Sequence, residues 1–330
     1  MDVTNQISII IVTYNREKML RDLLDQLNLL VSNVEIVLVN NSNEPLNDSH
    51  IPSKVTHFIH KKFSTPAAAR NAALEYATKE WVLFFDDDII LPDHYFQQAI
   101  YLLEKHPNID IFGGPDQTPI RASYFQQALG LALQSPMTTA HTRLRHLKQN
   151  KTILKATERD LILCHLWIRR SFLKDHDLSF PESYFRNEEN LLIHQAQTKG
   201  AEIYYFSDLF VFHYRKANLV PLAFAVFRSG FYRIKSIKKI PSLSGILFLI
   251  PSCWIIFIFC TFTQLLENNS LHPAYVQIWA LYIFLSVAFT LKVTIKRPQY
   301  FFVALLYQIM INLLYGLGTL TGLLRLLLRL

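Results

Sequence analysis

The sequence predicts an α/β domain on a mostly parallel sheet, followed by transmembrane helices at the C-terminal end. Three observations carry that expectation. Strand-like and helix-like segments alternate through the N-terminal part, the order that gives a parallel sheet flanked by helices. Short polar motifs, "TYN", "NNS" and "DDD", each close an apolar run. From about residue 240 onward the chain becomes three long apolar blocks.

The elements follow in order. "ISIIIVTYN" is a short β-rich run with the look of a buried strand. "REKMLRDLLDQLNLL" places Met19, Leu20, Leu23, Leu24, Leu27 and Leu30 at helical spacing. "VEIVLVNNS" is a second strand, and "STPAAARNAALEYAT" opens a helix with Ser64-Thr65-Pro66. "WVLFFDDD" is the next strand. In such sheets ligands sit beyond the carboxyl ends of the strands, so the three polar motifs should converge on one cleft. No internal repeat or low-complexity tract appears.

The apolar blocks run over residues 240–266, 272–291 and 298–324, each near the ~20 residues that cross hydrocarbon. Residues 1–235 are therefore expected to form the α/β domain and 236–330 a membrane domain of about three helices. Arg228, Arg233, Lys235, Lys238 and Lys239 precede the first block, and Lys292, Lys296 and Arg297 separate the second from the third. The intervening "ENNSLHP" has no Lys or Arg, so the positive-inside bias puts the N-terminal domain in the cytoplasm, on a multi-pass inner-membrane protein. Arg325 and Arg329 fit this poorly unless they snorkel or the third block stops short. "LVPLAFAVFRSGFYRIKSIKK" mixes aromatics and bases as an interfacial helix does.

Composition bounds the function. Apolar residues make up 51% of the chain, high for a wholly soluble protein. The net charge of +7 suits anionic lipid, phosphorylated substrates or nucleic acid. Its bases cluster beside the apolar blocks and form no base-reading motif, so no nucleic-acid partner is expected. Cys164, Cys253 and Cys260 make neither ligand spacing nor a disulfide framework, which points to a reducing compartment. The N-terminus carries no basic region before its apolar run and does not read as a signal peptide.

The chemistry begins at "WVLFFDDDIILPD". Three adjacent acids inside an apolar run repel and need compensation. Asp86 and Asp88, two apart at a strand end, point the same way and offer hard oxygen donors to Mg²⁺ or Mn²⁺. The alternative is a solvated acidic turn.

"ISIIIVTYNRE", "VEIVLVNNS", "TPAAARNAAL", "WVLFFDDDIILPD" and "IFGGP" stand in an order and spacing that resembles family 2 glycosyltransferases, over roughly residues 7–215. The resemblance implies the GT-A fold, a Rossmann-like nucleotide-sugar-binding domain. It also implies an inverting transferase using a UDP- or GDP-sugar with Mn²⁺ or Mg²⁺. It makes Asp86 and Asp88 the D-x-D pair, with Asp88 the direct ligand and Asp86 also facing the donor. Thr13 and Tyr14 would line the nucleotide pocket, and Arg70 and Asn71 the ribose or phosphates. Where relatives carry an Asp that contacts the base, this chain has Asn40 and Asn41, and Asn41 is the expected contact. The stretch from Tyr184 resembles the region holding the catalytic acid. In register Glu189 is the base and Glu188 its alternative, although two Glu also simply suit a helix N-terminus. His213 matches a His that completes the metal shell.

His141, Arg143, Arg145, His146 and Lys148 read equally as a solvated loop and as a segment facing phosphate or acceptor. A membrane anchor suggests a lipid-linked or envelope-glycan acceptor. The alternatives are a polyprenyl-phosphate acceptor, a non-catalytic nucleotide-binding protein, or an extruding synthase, for which the Q-x-x-R-W motif is missing.

Overall fold

A computed structural model describes residues 3–47, 54–149, 153–239 and 243–328 of the 330. The chain forms two compact units: residues 1–119 with 144–214, and residues 120–143 with 215–330.

In the first unit the elements begin with β1 (Ile7–Thr13), α1 (Glu17–Leu30), β2 (Glu35–Asn40), β3 (Val55–His60), α2 (Pro66–Leu74), β4 (Trp81–Asp86), β5 (Ile89–Ile90) and α3 (Tyr95–Lys105). They continue with β6 (Ile111–Gly113) and β7 (Asp116–Gln117). The second unit then contributes α4 (Tyr124–Leu133) and α5 (Pro136–Thr139). The chain returns with β8 (Ile153–Lys155), β9 (His165–Arg169), α6 (Arg170–Asp175), α7 (Glu188–Thr198), β10 (Ile203–Phe206) and β11 (Val211–His213).

Eight strands form one sheet in the order β3-β2-β1-β4-β9-β6-β10-β8. Its β3-β2-β1-β4 half is parallel, β9 runs against both its neighbours, and β8 runs against β10. Strand alternation splits the core between two faces. Ile7, Ile9 and Ile11 of β1 and Leu83 and Phe85 of β4 pack with α1 and α3. Ile10, Val82 and Phe84 face the Ala-rich α2 and Leu192, Ile193 and Ala196 of α7. Both faces are covered, which is why these strands read as unbroken apolar runs. In α1, Leu20, Leu23, Leu24 and Leu27 are buried as expected, but Met19 lies exposed on the outer face. Thr65 caps α2 by accepting from the Ala68 N–H at 3.2 Å, with Pro66 in the first turn.

Register delivers the expected convergence: Thr13 lies opposite Asn40, and Val12 opposite Asp86. The polar motifs after β1, β2 and β4 thus share one edge of the sheet. A three-stranded sheet, β5-β11-β7, holds His213 opposite Ile89 and Val211 opposite Asp116.

The second unit holds α8 (Leu219–Lys239), α9 (Leu243–Ile246), α10 (Ile250–Asn268), α11 (Pro273–Thr294) and α12 (Phe301–Leu327), together with α4 and α5. Its core joins Ala128, Leu129 and Ala132 of α4 to Ala304, Tyr307 and Ile311 of α12. The Ser135 hydroxyl donates to Gln308 Oε1 at 2.9 Å, satisfying two buried polar groups at once. α8 and α12 touch through glycines: a Cβ at Gly318 would stand 2.1 Å from the Phe227 carbonyl oxygen. Three helices are long and apolar enough to cross a membrane, over Leu247–Asn268, Pro273–Thr294 and Pro298–Leu327. The first block was expected from residue 240; residues 240–242 lie outside the described ones, as does Arg329. Compactness also divides the chain differently from composition, at 214/215 instead of 235/236, and moves residues 120–143 across.

Candidate active site

Every residue of the site belongs to the first unit. The three acids after β4 are compensated in a way their sequence does not announce. Asp87, between the expected ligands, turns inward and is buried. Thr13 donates its hydroxyl to Asp87 at 2.7 Å, and Arg16 donates to Asp87 at 2.9 Å and to Asp88 at 2.5 Å. Burial still lifts the Asp87 carboxyl to about 6; Arg16 pulls the other way and Asp88 adds to the rise. Thr13, expected in the nucleotide pocket, therefore spends its hydroxyl on Asp87. Arg16 belongs to the quoted "TYNRE" yet carried no expected role. Asn15 just before it adopts a left-handed φ of 54°, which Asn tolerates and which turns the chain at the strand end.

Asp86 keeps about a third of its side chain exposed (34%). One oxygen or nitrogen from each of Asp86, Asp88 and His213 lies within 4.8 Å of the others. His213 Nε2 stands 3.0 Å from Asp88, and its Nδ1 stands 3.0 Å from Asp116. Burial alone would lower the imidazole's pKa; the carboxylates of Asp88 and Asp116 outweigh it and hold the ring well above its ordinary value. The carboxylates of Asp88 and Asp116 on either side of the ring make this a spot that favours positive charge. Two carboxylates and an imidazole are a donor set that suits Mn²⁺ and accepts Mg²⁺.

The acidic pair opens α7, whose N-cap Asn187 has φ 65°. Both carboxylates are buried, and each meets its own arginine. Arg70 Nη1 bonds Glu188 at 2.9 Å while its Nη2 lies 3.6 Å from Asp86. Arg145 bonds Glu189 at 3.2 Å. Burial raises the Glu188 pKa; Arg70 opposes the rise and Glu189 adds to it. The helix N-terminus helps hold both charges. Arg145 also donates to Asn190 Oδ1 and to the carbonyls of Glu158 and Arg159. The basic stretch 141–148 is thus no simple solvated loop: Arg145 is buried against Glu189, and His146 pairs with Asp116.

The remaining expected donor residues divide. Tyr14 stands at the strand end with 55% of its surface exposed. Asn41 Oδ1 accepts from the Phe63 N–H at 2.6 Å. Asn71 works on the chain itself. Its Nδ2 donates to the Phe180 carbonyl and to Glu182, and its Oδ1 accepts from the Phe180 N–H. Those bonds brace the loop that leads into α7. Arg16, Asp87, Asp116 and Arg145 are the residues the sequence did not assign.

Residues 8–177 match the family described as glycosyl transferase family 2. The chain belongs to glycosyl transferase family 2. No curated protein sequence matches it. Among solved structures, the mannosyltransferase PcManGT from Pyrobaculum calidifontis, in complex with GDP-Man and Mn²⁺, is 14% identical with a TM-score of 0.62. That match covers 92% of this chain and 87% of that one. Residues 1–349 of S. aureus TarS, in complex with UDP-GlcNAc, are 17% identical with a TM-score of 0.50, covering 96% and 92%. In the TarS structure matched at 20% identity and a TM-score of 0.47, 69% of this chain spans only 40% of that chain's length. At these identities the likeness shows the family's GT-A fold.

Proposed function

We propose that this chain is a membrane-anchored inverting glycosyltransferase that moves a sugar from a UDP- or GDP-sugar to a hydroxyl of a lipid-linked or envelope glycan. The observation that carries the reading is one constellation. Asp86, Asp88 and His213 cluster at the carboxyl edge of a mostly parallel sheet, and Arg70 links Asp86 to the acidic pair opening α7. The solved GT-A relatives hold GDP-Man with Mn²⁺ in one case and UDP-GlcNAc in another, which supports a nucleotide-sugar donor here.

Asp86, Asp88 and His213 would hold the divalent ion. A cation bound there supplies positive charge beside the leaving diphosphate. Arg70, braced by Glu188, presents a guanidinium at the same edge for phosphate oxygens. Glu189 takes the proton of the acceptor hydroxyl, in the place Arg145 now occupies. The acceptor oxygen bonds to the anomeric carbon as the bond to the diphosphate breaks, and the configuration inverts. Tyr14 and the Asn41 region would face the nucleoside.

Anchoring falls to the second unit. In the apolar stretches of α10 and α11 11% of the residues are buried within the protein, against 39% in α12, so the first two are the better candidates for facing lipid. The basic residues at Arg228–Lys239 and Lys292–Arg297 support a cytoplasmic side for both segments under the positive-inside bias.

A panel of UDP- and GDP-sugars offered to detergent-solubilised protein, following released nucleotide with Mn²⁺, Mg²⁺ or EDTA, tests the chemistry. Metal-dependent release with one donor class is expected. Absence of both release and donor binding across the panel would overturn it. Asn269→Cys and Lys296→Cys, in a chain lacking Cys253 and Cys260, test the topology. Only the first should label from outside intact cells.

A further inference from the structure

The small β5-β11-β7 sheet carries a carboxylate that the chemistry above leaves unused. Asp116 opens β7 and is fully buried. A buried carboxylate is costly unless its oxygens are engaged. Here both meet imidazoles: Oδ1 lies 2.6 Å from His146 Nδ1, and Oδ2 lies 3.0 Å from His213 Nδ1. His213's other nitrogen faces Asp88.

We propose that Asp116 is the positioning residue of the centre: its Oδ2 accepts the hydrogen bond from His213 Nδ1–H and so leaves the Nε2 lone pair for the ion that Asp86 and Asp88 would hold. The inference rests on reading Asp86, Asp88 and His213 as a metal site. The physical ground is tautomer selection. Neutral imidazole has one donor nitrogen and one acceptor nitrogen, and whatever accepts from the first fixes the second as ligand.

The backbone around Asp116 fixes this geometry. β11 pairs with β5, whose first residue Ile89 follows Asp88 directly, and the Tyr214 N–H bonds the Asp88 carbonyl at 3.3 Å. β7 pairs with the other side of β11. The sheet therefore brings Asp116, opposite Val211, and Asp88, just before Ile89, to either side of His213. The approach to β7 requires glycine: a Cβ at Gly114 would fall 1.9 Å from the Leu209 carbonyl oxygen. His146 takes the second oxygen of Asp116 and so orients the carboxylate plane.

The test is Mn²⁺ titration of the full detergent-solubilised chain, read by electron paramagnetic resonance, with nitrogen modulation of the bound ion. Wild type should bind Mn²⁺ and show one imidazole nitrogen. Asp116→Asn should raise the Mn²⁺ dissociation constant roughly 10- to 100-fold. Excess Mn²⁺ should then return its turnover close to wild type, which a merely structural defect would not allow. His146→Gln should stay within about threefold of wild type, because the bond from Asp116 to His213 remains.

Asp116→Asn binding Mn²⁺ as tightly as wild type would overturn the inference and leave the metal reading standing. Loss of turnover without change in Mn²⁺ affinity would overturn it too, as would complete loss of binding, which makes Asp116 a ligand. Wild type that binds no Mn²⁺, or binds it without nitrogen, would instead remove the metal reading beneath it. Should Asp116→Asn not fold, Asp116→Glu is read the same way. Unfolding of both assigns the carboxylate to stability and overturns the proposal.

Discussion

The two acidic groups of the site, Asp86–Asp88 and Glu188–Glu189, meet the same difficulty in different ways. In the triplet, Arg16 serves Asp87 and Asp88 together, the middle acid turns inward, and Asp86 stays partly open. In the pair, both acids are buried at a helix N-terminus; Arg145 meets Glu189, and Arg70 meets Glu188 while also reaching Asp86. Three like charges at a partly open strand end leave negative potential at the cleft, which suits a divalent ion. The pair is held at fixed positions by its arginines, and burial raises the Glu188 pKa against the pull of Arg70. On the proposed function, the triplet binds and the pair reacts or braces.

The largest effect should come from the triplet acid that faces His213. Asp88→Asn removes a proposed ligand carboxylate and weakens the bond to Arg16. Losing a metal's charge stabilisation is worth several kcal/mol, a fall of about a thousandfold in turnover. The melting temperature should hold, and EDTA should mimic the variant. Asp87→Asn is the internal control: the amide still accepts from Thr13, and turnover should suffer far less. Equal losses in the two variants would erase the distinction between binding acid and buried acid.

Next comes the pair. Glu189→Gln should cut turnover by roughly 10²- to 10⁴-fold for a hydroxyl acceptor, the usual range for a general base, with donor affinity little changed. Glu188→Gln should act the other way, raising the donor KM as Arg70 loses its brace. Kinetics of both variants, with donor binding measured beside them, decide the assignment. Exchanged patterns would make Glu188 the base. Near-normal turnover in both would indicate a phosphate acceptor, which is already anionic and needs little base.

How much of this the sequence disclosed follows from what sequence patterns report. Apolar runs ending in polar motifs placed β1, β2, β4 and their shared edge, because core-facing residues recur with the period of the element. The D-x-D pair stood out as acids closing an apolar run, whereas Glu188, Glu189 and His213 were picked out by the family resemblance. Partners distant in the chain were not. Arg145 meets Glu189 across 44 residues, and His146 meets Asp116 across 30, so the sequence leaves the basic stretch open between a solvated loop and a segment facing phosphate or acceptor. β3, with every second residue exposed, gave no apolar run. The antiparallel direction of β9 is invisible to periodicity, which is the same for either direction. Residues 120–143 joined the second unit through contacts such as Ser135 with Gln308, 173 positions away.

A third acid sharpens the comparison from outside the site and should give the smallest effect. Glu35 is buried like the pair, yet among the described residues its ion-pair partner is His57 and not an arginine. It accepts from the Ser8 hydroxyl, and from the Thr78 N–H and hydroxyl at 2.8 Å each. Burial would raise its pKa, but those hydrogen bonds, with His57 nearby, bring it below the ordinary value. A carboxylate depressed in the folded state contributes stability that is complete above its unfolded pKa of about 4.3 and is lost as pH falls through the folded value. At pH 7, Glu35→Gln should therefore be less stable than wild type by roughly 1.5–3 kcal/mol, the range for hydrogen bonds to a charged group. As the pH is lowered past about 4, the gap should narrow, because wild type loses the term the variant never had. Turnover at neutral pH should be unchanged while both proteins remain folded. Melting curves from pH 7 to pH 3 measure this directly. A gap that widened toward acid would mean that Glu35 is held protonated and not ionised. In that case hydroxyl and amide donors would not suffice to keep a buried acid charged, and the arginines at Glu188 and Glu189 would be the feature that does.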